Sequence, residues 1–347
     1  MKPVKPLPIR TANLAAAWHK RCVNRLLRGV ALATLPFLPG VSALAADIFP
    51  KRPIRVIILV VPGGGADITS RAIGQKLTEA WGQQVIVDNR PGGNGIVGME
   101  IARNANADGY TMVLGTIGPV AVNPSLYAKL PYDSVRDYTP VARAVSALNV
   151  LVVHPSLPVK SVKDLIAHAK ANPAKLNYGS SGVGFADHLA GELFNTMAGV
   201  KMQHVPYKGG APAMIDLVGG NINLIFATVS TALPSMKAGR IRALAVTFAN
   251  RVEQFADLPT VAESGLPGFA VDNWYGFQAP RGVPQGIVAK LHAEINRTMT
   301  LPDVTSRLAG LGIFPFTLPT PAAYGDYIQS EIRKYAAVAK SAGLRAD

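Results

Sequence analysis

Cysteine is almost absent: Cys22 is the only one in 347 residues, which excludes a disulfide framework and a cysteine-based zinc site. Histidine is also sparse. His154, His168, His204 and His292 stand at no metal-ligand spacing. His188 and Glu192, four apart on one helix, lack the second histidine of a His-Glu-x-x-His motif. Acidic residues are outnumbered 21 to 35 by Lys and Arg. No run of five like charges occurs, so this excess forms no nucleic-acid face. A diffuse positive balance suits a small anionic ligand without locating its site.

Half of the formal charge of +14 sits at the N-terminus, where seven Lys or Arg and no acid precede the apolar segment "GVALATLPFLPGVSALA". Ala43-Leu44-Ala45 closes that segment. This order is that of a cleaved export signal, residues 1–45, leading out of the cytoplasm. The segment is shorter than the roughly 20 residues of a membrane span, and Pro36 and Pro39 interrupt it, which argues against an uncleaved anchor. Cys22 precedes the segment, so it is not placed as a lipoprotein cysteine. Cleavage near Ala45/Ala46 leaves about 300 residues, long for one hydrophobic core and suggestive of two lobes.

Strands and helices then alternate. "IRVIILVV" (residues 54–61) is apolar on both faces, as a parallel strand covered by helices on each side must be. "DITSRAIGQKLTEAWG" follows with one apolar helical face, Asp67 as its expected N-cap and Gly82 as its stop. "QQVIVDN", "YTMVLGT", "NVLVV", "KLNYGS", "MQHVP", "INLIFAT", "RIRALAVT" and "VDNWYGFQAP" read as further strands. Helices fall between most of them. The "SVKDLIAHAKANP" helix opens at Ser161. The pattern implies an α/β protein with parallel sheets and right-handed crossovers.

The first strand runs into "PGGGADI" (residues 62–68). Glycine lets backbone approach a ligand closely, and the helix beginning there turns free N–H groups outward, so strand, glycine turn and helix N-terminus together make an anion site. A phosphate loop would continue into Gly-Lys-Ser/Thr, but Asp67 and Ile68 follow here, which disfavours a triphosphate. A carboxylate needs no such lysine. "GNGIVG" (Gly93, Gly95, Gly98) matches a dinucleotide fingerprint, yet no acid lies near 20 residues further on, so these glycines read as a turn and close helix packing.

"YGSSGVGFADHLAGE" (residues 178–192) is a second strand, small-residue loop and helix, with Ser180 and Ser181 as hydroxyl donors and Gly184, Phe185 and Ala186 near the helix start. Ser181 as a hydrolase nucleophile fails the Gly-x-Ser-x-Gly elbow because position 183 is Val. Two similar cradles suit a clamshell that grips a small anion from both sides.

From about Pro53 onward the chain resembles the Bug-type (TctC-like) extracytoplasmic solute receptors of tripartite tricarboxylate transporters. "VVPGGGADITSRA", "VIVDNRPGGNGIVG", "ADGYTMVLGT", "NYGSSGVGFADHLAGELF", "HVPYKGGAPAMIDLVGGNI", "DLPTVAESGLPGF" and "WYGFQAPRGVP" carry the resemblance, in the family's order. It implies a type II periplasmic-binding fold, two α/β lobes with a ligand cleft between them: residues 46–148 plus 272–347 form one lobe and 149–271 the other. It also implies a binding protein of the periplasm, without catalysis or cofactor. Such a receptor captures a small carboxylate and docks, as a monomer, on membrane permease subunits, or presents its ligand to a sensor ectodomain. Carried over, the ligand-binding positions are Gly63, Gly64, Gly65, Ala66, Asp67 and Thr116 in the first lobe, and Ser180, Ser181, Gly184, Phe185 and Ala186 in the second. Two departures from the family pattern stand out. Ala66 replaces a frequent Thr or Ser, and Ala227 stands where many relatives carry Asp, so a ligand without a recognised amino group is expected.

Overall fold

A computed structural model describes residues 49–342, so the expected export signal lies outside the described residues. β1 (Ile54–Ile58) forms where the apolar run begins, with Ile54, Val56, Ile57 and Ile58 all fully buried. It is the parallel centre of β2 (Val85–Asn89), β1 and β3 (Thr111–Thr116). α1 (Gly65–Trp81) and α2 (Ile96–Arg103) are the crossovers, α1 stopping at Gly82 as expected. A six-stranded sheet, order β11-β4-β10-β3-β1-β2, is completed by β4 (Tyr138–Ala147), β10 (Asn273–Pro280) and β11 (Ile313–Pro315). Between β3 and β4 lie a π-helical turn (Gly118–Val122) and the short α3 (Asn123–Leu126).

The second sheet has five strands, order β7-β6-β8-β5-β9. Its members are β5 (Asn149–Val153), β6 (Asn177–Ser180), β7 (Gln203–Pro206), β8 (Leu224–Thr228) and β9 (Arg242–Val246). The helices between them are α4 (Val162–Ala171), α5 (Ala186–Ala198), α6 (Gly210–Val218) and α7 (Val229–Lys237). Ser161 caps α4 by accepting from the Asp164 amide at 3.1 Å. α8 (Gln285–Thr298), α9 (Pro302–Ala309) and α10 (Pro321–Ala342) follow β10. None of the described helices is long and apolar enough to cross a membrane.

Both sheets are mixed rather than parallel. β10 runs antiparallel to β3 and β4, and β5 antiparallel to β8 and β9, because the chain enters each sheet from the other rather than through a helical crossover. β4, α7 and α9 carry too many polar or proline interruptions to stand out in the sequence.

The passage from β4 to β5 is a single residue, Leu148, fully buried. Its amide donates to the Gly312 carbonyl at 2.7 Å and its carbonyl accepts from the Val229 amide at 2.9 Å. One continuous apolar cluster joins the two halves, from Ile57 of β1 through Leu151 of β5 to Tyr324 and Ile328 of α10. Trp274 of β10 lies within it, its indole N–H donating to Glu331 at 2.9 Å.

Arg143 of β4 is buried beside this passage. Its guanidinium donates to Asp272, just ahead of β10, and to Ser146, both at 2.8 Å, and packs 3.6 Å from the Phe316 ring centroid. Removing one partner of a buried pair strands the other charge, whereas replacing both is far cheaper. Asp272→Ala should therefore cost about 2 kcal/mol, a low value because 34 % of the Asp272 side chain reaches water. Adding Arg143→Met should return most of that loss. Equilibrium urea unfolding of the single and double variants checks this, and a double variant no more stable than Asp272→Ala refutes it.

Candidate functional site

The first glycine turn departs from expectation at its cap. Gly64, not Asp67, is the N-cap of α1, with extended φ/ψ and no side chain to bond the helix amides. Asp67 sits one turn in, almost buried, and reaches back to accept from the Gly63 amide at 3.1 Å. Gly63 needs its glycine, since its φ of +92° is left-handed. Burial alone would raise the Asp67 carboxyl. Hydrogen bonds from Arg71, the Gly63 amide and Asn89 outweigh it and hold the group below the ordinary carboxylate range.

The second turn is built on the same plan. Asp187, in the first turn of α5, accepts from the Ser181 amide and the Ser181 hydroxyl, both at 2.6 Å. Beneath it, Ser180 Oγ lies 2.5 Å from His204 Nε2, and the Gly184 amide donates to His188 Nδ1 at 3.0 Å. That bond makes Nε2 the protonated nitrogen of His188. Burial pushes His188 down to about 3, with His204 adding to it, and burial pushes His204 down to about 4, so both rings are neutral scaffolding. No group of three or more metal-ligating side chains occurs among the described residues.

The two turns face each other across a narrow cavity of about 40 Å³. Gly64, Gly65, Ala66 and Thr116 line it from the first lobe, and Ser181, Phe185 and Ala186 from the second. Gly63, Asp67, Ser180 and Gly184 do not line it; their groups are spent bracing the loops. Ala227 does not line it either, because its methyl joins the apolar cluster of Val150 and Ile225, and the next residue, Thr228, turns toward the cavity instead. The expected link between Ala227 and ligand type therefore has no contact to rest on.

Sequence reasoning missed Gly210 and Ala211 at the start of α6, Thr228 and Thr231 at the start of α7, and Asn273 and Tyr275 of β10. "PYKGGAPAM" does carry a signal, a strand, two glycines and a helix, the same punctuation as residues 62–68. Tyr275 is the floor: a Cβ on Gly65 would stand 2.9 Å from its hydroxyl, so α1 approaches β10 only because position 65 is glycine.

Four helices, α1, α5, α6 and α7, thus begin at one cavity, and none has a side-chain cap at its N-terminus. The Val229 amide of α7 is taken by the Leu148 carbonyl and the His188 amide of α5 by Asp187; the remaining first-turn N–H groups and the positive ends of the helix dipoles are left for the cavity. Thr116 Oγ1 is buried and has no hydrogen-bond partner. No Lys or Arg lines the cavity. The arrangement is that of an anion site made of dipoles and hydroxyls rather than cations.

A family model described as "Tripartite tricarboxylate transporter family receptor" (TctC) matches residues 69–344. The chain belongs to the TctC family. The TctC chain is 39 % identical over 313 residues to "UPF0065 protein in tcbD-tcbE intergenic region" of Pseudomonas sp. (strain P51), covering 90 % of this chain and 92 % of the relative. Among solved structures it is similar to "R. palustris Rpa4515 with adipate", with 38 % identity, TM-score 0.83, and coverage of 86 % of this chain and 99 % of that one. It is likewise similar to "periplasmic binding protein BugD", with 30 % identity, TM-score 0.81, and coverage of 86 % and 99 %. The two-lobed periplasmic-binding fold implied by the resemblance is the one observed.

Asp187 is the one carboxyl in the TctC cavity. Burial raises it to about 6, against hydrogen bonds from Ser181 and His188 that favour its anion. Unfolded aspartate releases its proton near pH 3.8, so between that value and about 6 the folded chain holds the extra proton and stability falls as pH rises. Asp187→Asn removes this titration. Relative to wild type, its stability should improve by on the order of 2–3 kcal/mol from about pH 4 to about pH 6.5. Urea unfolding at each pH measures the difference, and a constant gap across the window refutes the assignment.

Proposed function

We propose that this TctC-family chain is a periplasmic receptor that captures a small carboxylate in the inner cavity and delivers it to the membrane permease subunits of a tripartite tricarboxylate-type transporter. The observation that carries the reading is the convergence of four uncapped helix N-termini on a cavity with an unpartnered threonine hydroxyl and no cation. Such a site neutralises one delocalised negative charge through hydrogen bonds. It lacks the countercharge that a triphosphate requires. Adipate, with which the R. palustris relative is described, belongs to the same chemical class.

Gly64, Gly65, Ala66 and Ala186 would present backbone amides, while Thr116 and Ser181 supply hydroxyls. The same reading assigns residues 46–148 plus 272–347 to one lobe and 149–271 to the other, which agrees with the strands each sheet takes. Ligand binds both lobes at once, so it favours the closed arrangement by the free energy of the contacts made only there. The work is binding and presentation, with no bond made or broken.

The test is calorimetric titration of the purified protein with simple mono- and dicarboxylates, acidic amino acids and nucleotides. Saturable one-to-one binding of a carboxylate class is expected. Thr116→Val should weaken that binding about tenfold, the cost of one hydrogen bond to a charged group. Binding of nucleotides alone, or a Thr116→Val variant that binds as tightly as wild type, would overturn the assignment.

A further inference from the structure

Asp187 is an unexpected wall for an anion site. Its side chain lines the inner cavity, where no Lys or Arg offsets it, and it is almost fully buried. The cavity, of about 40 Å³, holds only a few water-sized groups, so a bound carboxylate finds no water layer between itself and this residue. Two like charges in such a space repel strongly. Either the ligand is not an anion, or Asp187 is not one when the ligand is bound.

Hydrogen-bond accounting points to the second answer. Ser181 also lines the cavity, and its hydroxyl has one hydrogen to give. That hydrogen is spent on Asp187 Oδ2 at 2.6 Å, so beside an ionised Asp187 the serine shows the cavity only lone pairs. Protonation reverses the bond: the carboxyl donates to Ser181 Oγ, and the serine hydrogen is free to donate to a ligand. The Ser181 amide, 2.6 Å from Oδ2, and the His188 amide, 3.0 Å from Oδ1, hold the carboxyl in place throughout. One proton thus removes a repelling charge and supplies a donor.

No cation pairs with Asp187 among the described residues. The ionisable groups packed around it are the phenols of Tyr178 on β6 and Tyr275 on β10, which burial keeps protonated, and the imidazole of His188 on α5 with that of His204 on β7 behind it, which burial keeps neutral. Lys208 lines the adjoining cavity, not this one.

We propose that this chain binds a carboxylate and a proton together: as the ligand enters, Asp187 takes a proton from solvent and Ser181 turns from acceptor to donor toward the ligand. The inference rests on the carboxylate-receptor reading of the inner cavity. Asp187 is then a positioning residue that acts through Ser181. Affinity is greatest below the value of about 6 to which burial raises the free carboxyl, and falls as pH rises above it.

Calorimetric titration with butanoate, benzoate and hexanedioate tests this from about pH 6.5 to about pH 8, where the probes themselves stay ionised. For an acid that binds, the wild-type Kd should rise on the order of 20-fold across that range. Titration near pH 7.5 in buffers of different ionisation enthalpy should show uptake approaching one proton per ligand, a readout that needs no variant. In Asp187→Asn, whose carboxamide donates to Ser181 Oγ as the protonated acid does, the pH dependence and the proton uptake should vanish, with binding at pH 8 tighter than wild type. Adding Ser181→Ala to that variant should weaken binding about tenfold, the cost of the freed donor. Carboxylate binding without proton uptake, a pH dependence as steep in Asp187→Asn as in wild type, or a Ser181→Ala change without effect there overturns the proton site and leaves the receptor standing. Failure of every acid to bind wild type at every pH overturns the receptor reading and this inference together.

Discussion

An anion withdrawn from water must find either a countercharge or a shell of aligned hydrogen-bond donors, and the inner cavity, which no Lys or Arg lines, must rely on donors. That requirement accounts for much of the surrounding chemistry. Helix N-termini can face a ligand only if their own side chains do not cap them. Glycine at the α1 and α6 N-caps, and phenylalanine at that of α5, supply no capping side chain, although in α5 Asp187 takes the His188 amide. The loops that precede two of those helices are held from within, Asp67 and Asp187 each reaching back to the turn ahead of its own helix. Bracing of this kind costs the site a buried carboxyl, and Asp187 carries that cost as a raised proton affinity.

Donors arriving from four helices in two lobes must also be held in register. The chain does this by passing between the sheets through strands instead of linkers. Leu148 is bonded on one side to Gly312 and on the other to Val229, and Arg143 ties β4 to the segment that opens β10. The two lobes are thereby joined by short, bonded crossings beside a continuous core rather than by a flexible tether.

How much of this is legible in the sequence follows from how local each determinant is. β1 and its glycine turn are local: an unbroken apolar run, then glycines, then one apolar helical face. Ser161 and Gly82 mark helix ends for the same reason. β4 is not local. Its buried Arg143 looks like a solvent residue until Asp272, 129 positions later, and Phe316, 173 positions later, come to lie against it. Within the site, Thr116 is legible through the family resemblance, and it lines the cavity from the end of β3. Asn273 and Tyr275 are not legible, because β10 returns to the first sheet from the other lobe. Ala227 lies outside the cavity lining by register alone, since neighbouring residues of a strand face opposite ways and Thr228 holds the position that lines it.

Where the two lobes touch, Gly118 of the π-helical turn approaches the second loop so closely that a Cβ would stand 3.0 Å from the Gly184 carbonyl oxygen. The fit between the lobes is therefore set by hydrogen atoms on both sides of a backbone-to-backbone seam. A methyl group at position 118 would act as a doorstop: it changes no donor in the cavity, yet it presses on the Gly184 carbonyl across the seam and forces the two loops apart. The spacing of the two cavity-lining loops is thus set partly at a contact outside the cavity itself.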